Sequence, residues 1–325
     1  MYDLEFIIVT YNRPKYLKET LESFIVKKNN FNTRLLVLDG GNDNFLEDID
    51  GEKKNTSKVF IDFKNEHRIN DLVKYKQYNN NGNWHKIITD YVFNLSKAKY
   101  FAIIGDDDIF LDFNGFEKSM RFIKTKFKSE KIGIINLFYQ DNTRINVIPI
   151  IDEMIDGKAY INNFIDLNYL DTQSVMHLYN LDIIKKYNCL HFLKLREKGL
   201  EDFFGWDIHF IFSLASNSKI LYVNSNQTIE MGHQGNEIRY TVKFPLTQWI
   251  CYYLYSKYTV TKLRKEGNLN LIRYRKFMLH WINSFFICYS KYLFSEYETR
   301  EKDYNKVREY LKQDILIFVF KEIIK

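Results

Sequence analysis

The first 140 or so residues of the chain alternate between short apolar runs and longer amphipathic stretches. FIIVT at 6–10, RLLVLD at 34–39 and YFAIIG at 100–105 are apolar runs of strand length, which predict buried strands. KYLKETLESFIVKK at 15–28 and WHKIITDYVFNLSKA at 84–98 have apolar residues at the three-to-four spacing of amphipathic helices. Strands that alternate with helices predict an α/β fold with a mainly parallel, Rossmann-like central sheet covered on both faces.

Later parts of the chain repeat the two patterns. Three more apolar runs predict strands: VFIDF (59–63), KIGIINLFY (131–139) and KILYVN (219–224). The stretch 200–217 predicts a helix. Beyond Pro245 nearly every stretch has the helical period, so we expect a boundary at Pro245 and a C-terminal helical extension over 245–325.

Charge is distributed unevenly over the 325 residues. The net charge is +6, but residues 245–325 hold 15 Lys and Arg against 8 Asp and Glu, so the first 244 residues are close to neutral. A basic, aromatic helical segment suits contact with an anionic membrane surface. It equally suits packing against the rest of the chain or against another subunit of a homo-oligomer. Nucleic-acid binding is not indicated, because the chain shows no known motif and its larger part is not basic.

The cysteines and the amino terminus favour a cytoplasmic protein. Cys189, Cys251 and Cys288 are far apart and form no CxxC pair, so neither a disulfide framework nor a zinc site is indicated. The amino-terminal MYDLEFIIVTYN lacks the basic flank and long apolar region of a signal peptide. We therefore expect a cytoplasmic location, with the C-terminal helices able to reach the inner face of the cytoplasmic membrane.

Polar residues follow three of the predicted strands at the point where each strand ends. TYNR occupies 10–13, DGGND occupies 39–43, and three consecutive carboxylates occupy 106–108. In open α/β sheets ligands bind outside the carboxyl ends of the strands. The three carboxylates repel one another and need a counter-charge, which a hydrated Mg²⁺ or Mn²⁺ bridging them to a diphosphate would supply. The alternative is a solvated acidic turn, since Asp is common in turns.

Four motifs resemble, in order and spacing, those of family 2 glycosyltransferases with the GT-A fold: IIVTYNRPKYLKETLESF, VLDGGNDN, YFAIIGDDDIF and GLEDFFGWD. The resemblance covers roughly residues 4–240 and implies a catalytic domain over 1–244. Within it, a nucleotide-sugar half extends to about residue 120 and an acceptor half covers 121–244.

The resemblance also implies an activity of the hexosyltransferase type. The enzyme would be inverting and metal-assisted, and would move a sugar from a nucleoside diphosphate to a hydroxyl group. A UDP-sugar is the expected donor, and a glycan or lipid-linked molecule the expected acceptor. The expected setting is the synthesis of bacterial surface polysaccharide or lipopolysaccharide.

The donor nucleotide is expected at the first two strand ends. The resemblance implies that base and ribose lie beside Thr10, Tyr11, Asn12, Arg13 and Asp39, and that Asn83 in NNNGNW approaches the donor. An Asp can accept the imide N–H of uracil or thymine, or the N1–H and amino group of guanine. The competing interpretation of Asp39 is a turn-forming or helix-capping residue.

The acidic loop departs from the family pattern, which is closer to DxDD. Aligning IIGDDDIF on this pattern puts Gly105 at the first acidic position and makes Asp107 the expected metal ligand. Asp106 and Asp108 then lie near the ribose or behind the metal. A register shifted by one would pair Asp106 with Asp108 as DxD, so Asp108 is also a candidate metal ligand. All three carboxylates remain candidates, with Asp107 favoured.

The residues expected at the acceptor site are inferred from the later part of the resemblance. It implies that Asp202 is the general base that removes the proton of the acceptor hydroxyl, with Glu201 beside it. It also implies that Trp206 and Gln173 line the acceptor site and that His233, in MGHQGNE, completes the metal shell. Each has a plainer interpretation: acidic residues are favoured in the first turn of a helix, a tryptophan can belong to the core, and loop residues are often only solvated.

Two other functions remain open on the sequence. A nucleotidyltransferase would share the α/β architecture and a carboxylate-bound Mg²⁺, but TYNRPKYL lacks the Gly-rich basic loop that would hold a triphosphate. A non-catalytic nucleotide- or glycan-binding module could keep the fold without turnover. The presence of Asp107 and Asp202 argues against such a module.

Overall fold

The structure is a computed structural model that describes residues 2–28, 32–69, 72–79, 84–138, 152–166, 177–190, 206–230, 232 and 257–293. Its strands are β1 (Tyr2–Thr10), β2 (Thr33–Asp39), β3 (Glu47–Ile49), β4 (Glu52–Lys54), β5 (Val73–Gln77), β6 (Ala98–Gly105), β7 (Ile109–Phe110), β8 (Ile132–Phe138), β9 (Met154–Asp156), β10 (His177–Asn180), β11 (Lys219–Asn224) and β12 (Ile229–Glu230). Its helices are α1 (Pro14–Lys27), α2 (Thr56–His67), α3 (Trp84–Asp90), α4 (Asn114–Lys124), α5 (Gly157–Asp166), α6 (Leu181–Tyr187), α7 (Trp206–Ala215) and α8 (Leu271–Leu293). A π-helical turn, Tyr91–Leu95, extends α3, and residues 257–265 are also helical.

Eight strands form one sheet in the order β5-β2-β1-β6-β10-β8-β11-β9. The four strands β5, β2, β1 and β6 are parallel to one another, and so are β8 and β11. β10 and β9 run antiparallel to their neighbours. The predicted α/β fold with a mainly parallel central sheet is therefore confirmed.

The register of the parallel strands brings the predicted polar residues to one edge. Thr10 pairs with Asp39 across β1 and β2, and Val9 pairs with Gly105 across β1 and β6. Asp39 pairs in turn with Gln77 of β5. The loops that follow these four strands therefore start side by side, as expected for a parallel sheet.

The predicted strand at 59–63 is wrong, because these residues lie inside α2. Asn55 caps this helix: its Oδ1 accepts a hydrogen bond of 2.8 Å from the backbone N–H of Lys58. Val59 and Phe63 are buried one helical turn apart. The apolar residues of VFIDF fit a period of 3.6 as well as an apolar strand, and the preceding Asn is the signal that favours the helix.

β5 is an edge strand that a search for apolar runs misses. Its sequence VKYKQ places Val73 in the core and half-buries Tyr75, while Lys74 and Lys76 are exposed. This two-residue period is typical of a half-exposed strand, and lysine is common on sheet edges because it discourages pairing with other chains.

The residues that directly follow the acidic loop in sequence contribute to a buried aromatic cluster. Phe110, Phe113 and Phe116 are fully or almost fully buried, and the ring of Phe6 in β1 contacts all three at centroid distances of 4.8 to 5.6 Å. Phe24 of α1 contacts Phe6 and Phe110. Burial of each such side chain stabilises the fold by roughly 1.5–3 kcal/mol, so the cluster anchors β1, α1 and the chain beyond the loop to one another.

The chain divides into two compact units. The first contains the eight-stranded sheet with α1 to α4 and α6. The second contains α5, α7, α8 and residues 257–265, and in it the rings of Phe164, Phe212 and Phe277 contact one another in series at 5.0 and 5.9 Å. The predicted boundary at Pro245 lies outside the described residues and stays a prediction.

The helical period predicted for the C-terminal part is present in residues 257–265 and in α8. α8 buries Phe277 and Trp281 and exposes Ile272 and Leu279, so it is amphipathic. Within the described residues, no helix combines the length and the apolarity that a membrane-spanning segment needs.

Candidate functional site

Arg13 is the counter-charge of the acidic loop. Its Nη1 donates to Asp106 Oδ1 at 2.6 Å, and its Nη2 donates to Asp107 Oδ2 at 3.1 Å. Asp106 Oδ2 also accepts a hydrogen bond of 2.7 Å from Thr10 Oγ1, and the Asp106 carbonyl accepts one of 2.8 Å from Thr20 Oγ1. Thr10 ends β1 and Asp106 follows β6, so the pairing of these two strands builds the contact.

Burial changes the protonation of the two inward-facing carboxyl groups. It raises the pKa of Asp106 to about 7, although Arg13 and the Thr10 hydroxyl favour the ionised form. It raises the pKa of Asp108 to about 6, against hydrogen bonds from two backbone N–H groups. Burial alone would lower the pKa of Arg13, but Asp106 and Asp107 raise it, so Arg13 stays a cation at every physiological pH.

The Asp108 carboxylate binds two backbone N–H groups, one within the acidic loop and one at Gly232. Its Oδ2 accepts a hydrogen bond of 2.5 Å from the Gly105 backbone N–H, and its Oδ1 accepts one of 3.0 Å from the Gly232 N–H. A Cβ atom at position 105 would come within 2.8 Å of Asp107 Oδ1 and of Asp108 Oδ2. A side chain at position 105 would therefore displace these two carboxylate groups.

Asp107 is the most accessible of the three carboxylates. Its side chain is 21% exposed, whereas those of Asp106 and Asp108 are buried. Arg13 occupies Asp107 Oδ2, and no donor from the described part of the chain reaches Oδ1. A hydrated Mg²⁺ or Mn²⁺ fits this arrangement, since such ions commonly take one protein carboxylate and complete their shell with phosphate oxygens and water.

A second group of metal-ligating side chains lies on α1 and α2. The ligand atoms of Glu22, Glu66 and His67 lie within 4.8 Å of one another, the only such group of three among the residues that the structure describes. His67 Nε2 and Glu22 Oε2 are 3.0 Å apart, which is an ordinary ion-pair distance. Among the described residues, the acidic loop forms no such group, and Asp106 and Asp108 are buried.

Asp39 is almost fully buried, with 1% of its surface exposed, at the end of β2. Its Oδ1 accepts a hydrogen bond of 2.7 Å from the Gly41 N–H, and its Oδ2 accepts one of 2.7 Å from the Tyr75 hydroxyl. Burial raises the pKa of Asp39, and these two hydrogen bonds oppose the rise. Tyr75 contacts a predicted site residue but is not itself predicted from the sequence, and the alternation in VKYKQ is the signal that could have placed it.

The loop after β1 is held against the loop after β2. Asn12 has a left-handed backbone with φ of 54°, and its Oδ1 accepts a hydrogen bond of 3.2 Å from the Asn42 N–H. A Cβ at Gly41 would collide with this Asn12 side chain. Tyr11 is 41% exposed and stands at the same edge, where an aromatic ring can stack on a base.

Comparison with solved structures identifies the fold. S. aureus TarS 1–349 in complex with UDP-GlcNAc superposes with a TM-score of 0.55 at 14% identity, over 95% of this chain and 81% of that chain. TarS 1–349 alone gives a TM-score of 0.54 at 14% identity, over 94% of this chain and 78% of that chain. The chain has a family 2-like glycosyltransferase fold. The strand ends described above lie at the edge of the mainly parallel sheet of this GT-A fold.

Two curated relatives are similar in sequence to a part of this chain. Two proteins of Mycoplasma genitalium are similar, each named an uncharacterized glycosyltransferase. MG060 is 32% identical over 110 residues, which are 33% of each chain, and MG025 is 30% identical over 122 residues, 36% of this chain and 35% of the relative. The matched segment thus spans about a third of the length of these curated relatives. No protein-family model matches the chain.

The glycosyltransferase site that the sequence predicts is only partly visible. The structure brings together Thr10, Tyr11, Asn12, Arg13, Asp39 and the acidic loop. Five predicted residues lie outside the described residues: Asn83, Gln173, Glu201, Asp202 and His233. Trp206 begins α7, but its side chain does not belong to the described part of the structure. The roles of all predicted site residues stay predictions.

Proposed function

We propose that this protein is an inverting glycosyltransferase that moves a sugar from a nucleoside diphosphate, with a UDP-sugar expected, to a hydroxyl group. The observation that carries the proposal is the convergence of Thr10, Arg13, Asp39 and Asp107 at one sheet edge. A buried acceptor for a base and an accessible carboxylate for a metal-bound diphosphate are the two features that a nucleotide-sugar site needs. The likeness in fold to TarS bound to UDP-GlcNAc and the two relatives named glycosyltransferases support it.

The donor is held at two points in this proposal. Asp39 accepts an N–H of the base while the exposed ring of Tyr11 stacks on its face. Asn12 and Asn83 line the nucleoside. Asp106 is bound to Thr10 and Arg13, and Asp108 to the N–H groups of Gly105 and Gly232; we assign both to holding the loop beneath the ribose and diphosphate.

Asp107 is the residue that we assign to the metal. A bound Mg²⁺ or Mn²⁺ would neutralise charge on the diphosphate leaving group. Gly232 donates to Asp108, which supports the expectation that His233, the next residue, completes the metal site. Arg13 stabilises the loop and adds positive potential where the diphosphate carries negative charge.

The transfer step requires one base. The acceptor oxygen forms a bond to the anomeric carbon from the face opposite the diphosphate, and the bond from that carbon to the diphosphate oxygen breaks. Asp202 takes the proton of the acceptor hydroxyl as this bond forms, Glu201 orients the acceptor, and Trp206 and Gln173 line its site. Attack from the opposite face inverts the configuration at the anomeric carbon.

The expected acceptor is a glycan or a lipid-linked molecule, within the synthesis of bacterial surface polysaccharide or lipopolysaccharide. The protein would act in the cytoplasm, with residues 245–325 touching the inner face of the membrane. The net positive charge of this segment and the exposure of Ile272, at 78%, support such a contact. Sedimentation with phosphatidylglycerol vesicles but not with phosphatidylcholine vesicles is the expected result. Equal recovery in both supernatants would contradict it.

Nucleotide binding tests the proposed function directly. The melting temperature of the purified chain is measured with UDP, GDP, dTDP and CDP, each with and without Mn²⁺, because a ligand that binds only the folded state raises it. We expect one diphosphate to stabilise the protein in a metal-dependent way, and Asp107→Asn to abolish this effect. Asp3→Asn is the matched control, because Asp3 pairs with Lys124 near the opposite end of β1. No response to any diphosphate would overturn the proposal.

Turnover separates the proposal from its two competitors. Incubation with a UDP-sugar and Mn²⁺ should release UDP slowly by hydrolysis even without the acceptor, and Asp202→Asn should leave nucleotide binding intact while slowing release. A non-catalytic module would bind and release nothing. A nucleotidyltransferase would instead consume a nucleoside triphosphate and a sugar phosphate and release pyrophosphate.

A further inference from the structure

The carboxylate of Asp39 is fixed from two sides. Gly41 N–H holds Oδ1, and the hydroxyl of Tyr75 holds Oδ2, each at 2.7 Å. The Asp39 carbonyl also accepts a hydrogen bond of 2.7 Å from the Tyr78 N–H, which ties the end of β2 to the end of β5. These bonds, together with a side-chain hydrogen bond from Thr56, hold the buried carboxylate in one orientation.

Tyr75 can act in this contact only as a donor. Burial and the neighbouring Asp39 raise the pKa of the Tyr75 hydroxyl far above its usual value, so the phenol keeps its proton. Its ring stacks on Phe60 of α2, with centroids 5.1 Å apart and planes at 27°, so the hydroxyl cannot swing away without breaking this packing. Asp39 therefore faces a permanent donor, and this hydrogen bond favours the ionised carboxylate against the burial that raises its pKa.

We propose that Tyr75 is a positioning residue that orients Asp39 for base recognition and thereby selects donors whose base offers an N–H. The inference rests on the proposed function, since it concerns the base of the nucleotide-sugar donor. Uracil, thymine and guanine each carry a ring N–H that an ionised Asp39 can accept. Cytosine has an unprotonated ring nitrogen at the corresponding position, which would repel the carboxylate.

Tyr78 offers a matched control on the same strand end. It is half-buried like Tyr75, and its hydroxyl donates to Asp90 Oδ2 at 2.6 Å. Tyr78→Phe removes one hydroxyl and one bond to a carboxylate, as Tyr75→Phe does, but it leaves the side-chain contacts of Asp39 unchanged. A general effect of losing a tyrosine hydroxyl would appear in both variants, and an effect on base recognition would appear in one.

The test is calorimetric titration of the full chain with UDP and with CDP in the presence of Mn²⁺, extended to dTDP and GDP if UDP binds weakly. We expect the wild type to bind an N–H-bearing base more tightly than CDP. Tyr75→Phe should weaken that binding about tenfold, the cost of one hydrogen bond to a charged group, and should change CDP binding less than twofold. Tyr78→Phe should change neither. Melting temperatures of both variants check that they fold.

The possible results distinguish failure of this inference from failure of the proposed function. Equal weakening of UDP and CDP by Tyr75→Phe would show a structural role and overturn the inference, as would unchanged UDP binding. Tightest binding of CDP by the wild type would overturn it too. These three results leave the proposed function standing, whereas a wild type that binds no diphosphate at all removes both.

Discussion

Arg13 and Asp106 form an ion pair of 2.6 Å in which the carboxylate is buried and the guanidinium side chain is one-third exposed. The same guanidinium reaches Asp107 at 3.1 Å. One cation from the loop after β1 thus compensates two carboxylates of the loop after β6. This link makes the acidic loop a part of the folded core as well as a candidate ligand site.

Removing the Arg13 charge should destabilise the protein. Arg13→Gln leaves Asp106 without its ion-pair partner, and we expect the free energy of unfolding in urea to fall by about 2 kcal/mol, less than for a fully buried pair because Arg13 is partly exposed. Arg13→Lys keeps the charge and should lose less. In the double variant with Asp106→Asn, the loss should shrink because the carboxylate that loses its cation is then only the partly exposed Asp107. Equal stability of Arg13→Gln and the wild type would contradict the role of the pair.

Stability of the metal-free protein should fall as the pH rises from about 4 to about 7. Burial raises the pKa of Asp106 to about 7 and that of Asp108 to about 6, while an unfolded Asp titrates near 3.9. In this window the folded state keeps protons that the unfolded chain has released, so each pH unit costs up to about 1.4 kcal/mol per group. Above pH 7 the curve should level off.

Urea unfolding at several pH values between 4.5 and 7.5 measures this dependence. Asp106→Asn should flatten the curve, because it removes the group with the highest pKa of the two, while Asp3→Asn should leave the slope unchanged. A slope that is the same in Asp106→Asn and in the wild type would show that this carboxyl group does not titrate as proposed.

Asp108 should matter mainly for stability, and Asp107 mainly for nucleotide binding. Asp108→Ala leaves the N–H groups of Gly105 and Gly232 without their acceptor, and we expect a loss of about 2–3 kcal/mol in the free energy of unfolding. Asp107→Ala removes an accessible side chain and should cost about 0.5 kcal/mol or less. Binding of UDP with Mn²⁺ should depend more on Asp107 than on Asp108, and it should be lost in Asp107→Ala. Comparable destabilisation by both substitutions would argue against the division of roles.

The cap of α2 should matter for stability, because it marks where this helix begins. Asn55→Ala removes the acceptor for the Lys58 N–H and should cost about 1 kcal/mol, whereas Asn55→Ser keeps a capping oxygen and should cost much less. Thermal unfolding followed by circular dichroism measures both. If the alanine and serine variants melt together, the cap contributes little to this fold.

Local patterns determined most of the architecture. The strands at 6–10, 34–39 and 100–105 and the helix after Asn12 follow from apolar periodicity, which is a property of neighbouring residues. The motifs at the strand ends also indicated the fold and the edge of the sheet where the site lies. The same criterion failed at 59–63, where the apolar spacing fits both periods and only the capping Asn separates them.

Only the tertiary structure decided which side chains form hydrogen bonds and ion pairs with one another. The carboxylates at 106–108 posed the question of a counter-charge, but Arg13 lies more than ninety residues away along the chain, and only the parallel pairing of β1 and β6 brings it to Asp106. Tyr75 reaches Asp39 in the same way through β2 and β5. Periodicity reports which face of an element is buried, whereas hydrogen-bond partners depend on strand order and register. These arise from contacts between distant segments that short stretches of sequence do not encode.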